Sequence, residues 1–291
     1  MALSVDRRGF LLVAGGAVLT ACSGGAGPVP RASAPRSSVA PARTPAPTPA
    51  PAPGLPPVTR WQPGPAELVP AAKRAAVHEV ERRGTGPTRA VQVVDAQYGG
   101  LLPDTASVLV VCRSWRLRDG KVTPGGATYD VRVARRASGW QVTAVHPSRP
   151  GPARRPLTGR ERAVLTSSRI GLPPAARADV LSGQVHPSVL GAMLAVSRAH
   201  RIEVSVVRSG HPLHVFGTTR LSDHPRGRAF DTWRVDGQPV VSADRRLVAG
   251  YLHALADAGS YNVGGPVLLG AAPQWFSDAT HHDHVHAGFT T

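Results

Sequence analysis

The chain has 291 residues, an ordinary apolar content of 42% and a formal charge of +16, so it can bury a core and favours anionic surroundings. Nearly all of that charge is arginine, Lys73 and Lys121 being the two lysines. No basic helix or basic–aromatic alternation accompanies it, which sets nucleic acid aside as a partner.

The first element is an address. "DRRGFLLVAGGAVLTAC" sets an arginine pair before an apolar run too short to span a bilayer as a mature helix. Arg7 and Arg8 resemble the twin-arginine export signal, and "LTAC" at 19–22 resembles the lipobox of bacterial lipoproteins. These resemblances imply a signal peptide over 1–21, a lipidated Cys22 and a mature protein anchored to the outer face of the bacterial cytoplasmic membrane. Residues 22–57 then read as a spacer. Their proline and alanine density favours extended polyproline II, with a reach of about 100 Å.

From 58 to about 150 the pattern is one helix and four strands. Val69, Ala72, Ala76, Val77 and Val80 recur at helical spacing, and Gly84 stops the helix. "RAVQVV", "SVLVVCRSW", "TYDVRVA" and "GWQVTAV" follow as strands. In the third, Tyr129, Val131 and Val133 alternate with Thr128, Asp130 and Arg132, as in an antiparallel sheet with one solvated face. With Cys22 lipidated, Cys112 has no partner and reads as a buried free thiol. A helix on a meander resembles the cystatin-like domains of the nuclear-transport-factor-2 type. The region shows no acid–base pair or ligand cluster, so a structural or interaction role is expected.

The proline-rich stretch 146–156 marks a boundary, and 151–291 reads as a second α+β domain. A short helix over 160–167, a helix over 187–200 and the strand "IEVSVV" come first. A further helix over 243–258 has Ser242 as its expected N-cap and Gly259 just past its end.

Ten of the twelve histidines lie in this second domain. In "SDHPRGRAFD", Gly227 permits a turn that returns His224 beside the strand carrying Asp231. In "HHDHVH", His284 and His286 stand two apart, so both imidazoles can enter one cavity from a strand. Two imidazoles and a carboxylate make a three-ligand set with a fourth position open, the composition of a catalytic zinc site. His281 and His282 are expected beside the site or exposed.

"SDHPRGRAFD" matches position by position the S-x-H-x-x-G-x-A-x-D pattern of the zinc D-alanyl-D-alanine peptidases. These share a clan with lysostaphin-type and murein endopeptidases and hedgehog signalling domains. The resemblance covers residues from about 181 to the C-terminus. It implies a small α+β fold with an antiparallel sheet, zinc held by His224, Asp231 and His286, and hydrolysis of peptide bonds in peptidoglycan. Two departures stand out. Where the carboxypeptidases have a glutamate before the last ligand this chain has Asp283, while His284 completes the H-x-H of the endopeptidases, so both are candidate bases. The arginine expected after Ser209-Gly210 is missing, leaving Arg208, His211 or Arg220 to meet the substrate. The alternative reading is a non-catalytic, zinc-containing wall-binding or structural lipoprotein.

Overall fold

The structure, a computed structural model, describes residues 54–290. The export signal, Cys22 and the spacer up to residue 53 lie outside the described residues. The chain is mixed α+β. Helix α1 (Pro70–Gly84) precedes strands β1 (Arg89–Leu101), β2 (Thr105–Arg118), β3 (Lys121–Arg136) and β4 (Gly139–Pro147), which form an antiparallel meander in sequence order. Then come α2 (Gly159–Thr166), β5 (Ile170–Gly171), α3 (Pro174–Leu181), α4 (Pro187–Val196), β6 (Ile202–Val206), β7 (Ala229–Val235), β8 (Gln238–Pro239) and α5 (Arg245–Asp257). Strands β9 (Asn262–Gly264), β10 (Trp275–Phe276) and β11 (Val285–Gly288) complete it. The second sheet has the order β10-β9-β11-β7-β6-β5, with β8 paired to β7. Its outer pairs β9–β10 and β5–β6 are parallel and the rest antiparallel.

The apolar stripe of α1 buries Ala72, Ala76, Val77 and Val80 against Val108, Val110 and Cys112 of β2 and Val131 and Val133 of β3. The opposite face of this sheet is not solvated as the alternation suggests. Thr128 and Asp130 are buried, and Leu109 and Val111 meet Val206 of the second sheet. Asp130 is accommodated there because Ser107 Oγ donates to it at 2.6 Å and Arg132 Nε at 2.7 Å. Both faces of β2 are therefore covered, which explains its near-continuous run of apolar residues. All the described residues belong to one compact unit.

The second core packs α3, α4 and α5 on the second sheet, with Val248, Tyr251, Leu252 and Leu255 of α5 at a 3–4 spacing. Three local readings are corrected. Helix α5 is capped by Asp244, which accepts from Arg246 N at 2.7 Å and Leu247 N at 3.3 Å, while Ser242 sits in a short 3₁₀ turn before it. Helix α4 ends at Val196, so Ser197 to Ala199 are turn rather than helix and His200 lies beyond it. Strand β1 runs on past Val94 to Leu101, through residues whose polar side chains hid the strand. No helix among the described residues is long and apolar enough to cross a membrane.

Candidate metal centre

Strands β7 and β11 are antiparallel neighbours, and their register sets Asp231 directly opposite His286. His224 reaches the same point from a tight turn: Gly227 N donates to His224 O at 2.8 Å, with Gly227 at φ +70°. A Cβ at Gly227 would also overlap the carbonyl of Gln184, so the turn requires glycine on two counts. His224, Asp231 and His286 are all buried.

Their donor atoms converge. His224 Nε2 lies 3.1 Å from Asp231 Oδ1 and 3.2 Å from His286 Nδ1, and His286 Nδ1 lies 3.0 Å from Asp231 Oδ1. His224 Nδ1 is 2.8 Å from the carbonyl of Val207 and must donate to it. With that proton on Nδ1, the tautomer that can ligate a metal turns a lone pair from Nε2 toward the other two atoms. A proton on His286 Nδ1 would bridge it to a neighbour yet leave His224 Nε2 and Asp231 Oδ1 lone pair against lone pair. A single cation between them serves all three. A tetrahedral ion with bonds of about 2.0–2.1 Å holds its ligand atoms about 3.3 Å apart, close to the observed triangle. The residues present fit a divalent metal.

Charge states agree with that role. Burial opposes ionisation of Asp231, but the imidazoles of His224, His284 and His286 gathered around it hold its carboxyl well below the usual range. Burial pushes His286 down to about 4, against the pull of Asp231, so its ring is neutral near pH 7.

His211 also brings a donor atom within 4.8 Å of His224 and Asp231. Its ring, however, stacks on His224 with centroids 4.1 Å apart and planes 16° from parallel. An imidazole ligates along its own plane, and two near-parallel planes this far apart do not meet at one ion. His211 therefore walls the site, and His286 is the better third ligand. A second cluster, Glu67, His282 and Asp283, has metal-like spacing. Its cation is already present: the ammonium of Lys73 pairs with Glu67 and lies 2.6 Å from Asp283 Oδ2.

The two candidate bases have different surroundings. Asp283 has both oxygens engaged. Oδ2 accepts from Lys73 and from Tyr98 N at 3.1 Å, and Oδ1 is 2.6 Å from His284 Nδ1. Its carboxyl is held far below the usual range; burial works the other way, and Lys73 is the largest influence lowering it. His284, with Nδ1 on Asp283, presents Nε2 toward Asp231 Oδ2 at 3.8 Å. Burial disfavours its protonation, but Asp231 and Asp283 outweigh this and raise its pKa.

These groups open on a cleft of about 410 Å³ between β1, the 211–224 loop and the histidine-rich segment. His284 lines it and Asp283 does not. His211 and Arg220 line it too, whereas Arg208 does not. The Arg208 guanidinium turns instead to buried Asp179 at 3.7 Å and to Pro150 O at 3.3 Å, because Asp179 Oδ2 also accepts from the backbone of Arg208 and Ser209. His281 lines the cleft, and His282 accepts from Leu68 N at 3.0 Å.

The sequence reading assigned no part of this to the first sheet, and there it is corrected. Gln97 of β1 donates from Nε2 to Asp231 Oδ2 at 2.7 Å, and Gly99, Gly100 and Leu101 form one wall of the cleft. Lys73 carried a usable signal: it shares the helical face of Ala72, Ala76 and Val80, where an unpaired charge does not belong. Gln97 carried none, since a glutamine in a strand ordinarily faces water. Comparison with protein-family models, with curated proteins and with solved structures returned no match for this chain.

Proposed function

We propose that the protein is a zinc peptidase acting on peptides of the bacterial cell wall, with the fold and motif of the D-alanyl-D-alanine peptidase clan in its second half. The observation that carries this is the meeting of His224, Asp231 and His286 donor atoms within 3.2 Å, beside a histidine that opens on a cleft. A zinc ion held by those three residues supplies Lewis acidity toward an amide carbonyl and toward water when bound. His284 is the general base: Asp283 fixes its tautomer by accepting a hydrogen bond from Nδ1–H, leaving Nε2 to receive a proton from water in the cleft and return it to the leaving amine. Asp283 is a positioning residue, held in turn by Lys73. Arg220 and His211 are assigned to the substrate, a reading supported by their lining the cleft.

The cystatin-like description of residues 58–150, lipidation at Cys22 and attachment outside the cytoplasmic membrane complete the proposal. The sequence motifs at the N-terminus support the last two. The test is metal analysis of purified protein together with mass spectrometry of digested wall fragments. His284→Ala is expected to keep its zinc and lose turnover by about 10²–10⁴-fold. His224→Ala is expected to lose both. Zinc uptake without hydrolysis of any wall fragment would leave a binding lipoprotein instead.

A further inference from the structure

The first sheet meets the three candidate ligands at a single hydrogen bond. Gln97, fully buried on β1 and 134 residues from Asp231 in sequence, donates from Nε2 to Asp231 Oδ2 at 2.7 Å. A carboxylate only accepts, so the amide must present its nitrogen there. Asp231 thereby divides its oxygens: Oδ1 faces the two imidazoles and Oδ2 faces Gln97. The other end of the amide, Oε1, is buried and has no partner among the described residues. A buried amide with one end unsatisfied weakens folding relative to an apolar side chain of similar size. What a glutamine supplies at this position is the bond to Asp231.

We propose that Gln97 is a positioning residue of the metal centre. It pins Oδ2, keeps Oδ1 turned to the ion, and makes the first sheet an intrinsic part of a site whose ligands all lie in the second half. The inference rests on the metal-centre reading above. Groups that orient ligands commonly control metal affinity by about ten- to a hundredfold. Replacing Gln97 by an apolar residue removes the unpartnered Oε1 but also strips Asp231 Oδ2 of its donor, so the metal-free protein should fold with a melting temperature no lower than that of Ser107→Ala, which likewise strips a donor from a buried carboxylate.

The experiment measures zinc affinity by chelator competition, and the melting temperature of metal-free protein, for wild type, Gln97→Leu, Gln97→Met and Ser107→Ala. Ser107 is a buried polar residue of the same sheet whose hydroxyl goes to Asp130. Gln97→Leu should weaken zinc binding about ten- to a hundredfold, with a metal-free melting temperature no lower than that of Ser107→Ala. Ser107→Ala should lower the melting temperature without changing zinc affinity. If Gln97→Leu does not fold, Gln97→Met, of matching length and without a donor, decides the question in its place. Zinc affinity within twofold of wild type in a folded Gln97 variant overturns the inference alone. A wild-type protein that takes up no zinc overturns the metal-centre reading and the inference with it.

Discussion

Lys73 Nζ lies 2.6 Å from Asp283 Oδ2, joining the first helix to the histidine-rich segment at the far end of the chain. The ammonium is fully buried, pairs also with Glu67, and stands 5.0 Å from the centre of the Tyr98 ring. Burial disfavours its charge, but Asp283 and Glu67 outweigh this and raise its pKa. Lys73→Met removes the cation and strands two buried carboxylates, which should destabilise the protein by about 3–5 kcal/mol in urea unfolding. Adding Glu67→Gln to that variant should recover part of the loss. A Lys73→Met protein as stable as wild type would show that the cluster is not sealed from water.

Asp95 has an oxygen, Oδ2, that is buried and without a partner among the described residues. Burial pushes its carboxyl up to about 7 from an ordinary 3.8; Lys73 and His284 oppose the rise, and Asp283 and Glu67 add to it. Between those values the folded chain keeps a proton that the unfolded chain has lost, so this group's contribution to stability falls as pH rises from about 4 to about 7. Asp95→Asn should therefore stabilise the protein by about 4 kcal/mol at pH 8 and by almost nothing at pH 4. Thermal unfolding at the two pH values checks this, and an equal effect at both would contradict it.

Gly100 lies on the cleft wall, where an added Cβ would overlap the side chain of Phe216. Gly100→Ala should force the 211–224 loop outward and cost about 1–3 kcal/mol. With Phe216→Ala in the same chain, most of that penalty should vanish. Urea unfolding of the four proteins gives the coupling, and strict additivity would mean that the loop does not rest on β1.

Cys112 is buried and free, and burial drives its thiol far above the ordinary value. A protein lacking residues 1–22 should show no thiol reactive toward a disulfide reagent when folded and one after denaturation. Reaction in the native state would place Cys112 at an open surface.

Much of the centre was legible because its information is local. A turn glycine between His224 and Asp231, and a strand carrying His286, are patterns of a few residues. The meander was legible for the same reason, through its alternation and its turns. What escaped depends on which sheet face meets which. Asp130 and Thr128 look solvated until the second half packs over them, and Gln97 and Asp95 make β1 look like the end of a strand. The different surroundings of Asp283 and His284 could not be read because Lys73, which engages Asp283, sits on a helix at the other end of the chain. Helix α3 went unread because its eight residues follow one proline, begin with another and run into an alanine pair, which is also the composition of the spacer.

The wall that β1 lends to the cleft also bears on inheritance. Gln97, Tyr98 and Gly100 on one side, and Asp231, Asp283 and Phe216 on the other, form interlocking pairs drawn from both halves of the chain. A recombination event that replaced either half with one from a distant lineage would have to bring matching partners at these positions. The two halves should therefore descend together, as a single heritable block rather than as interchangeable parts.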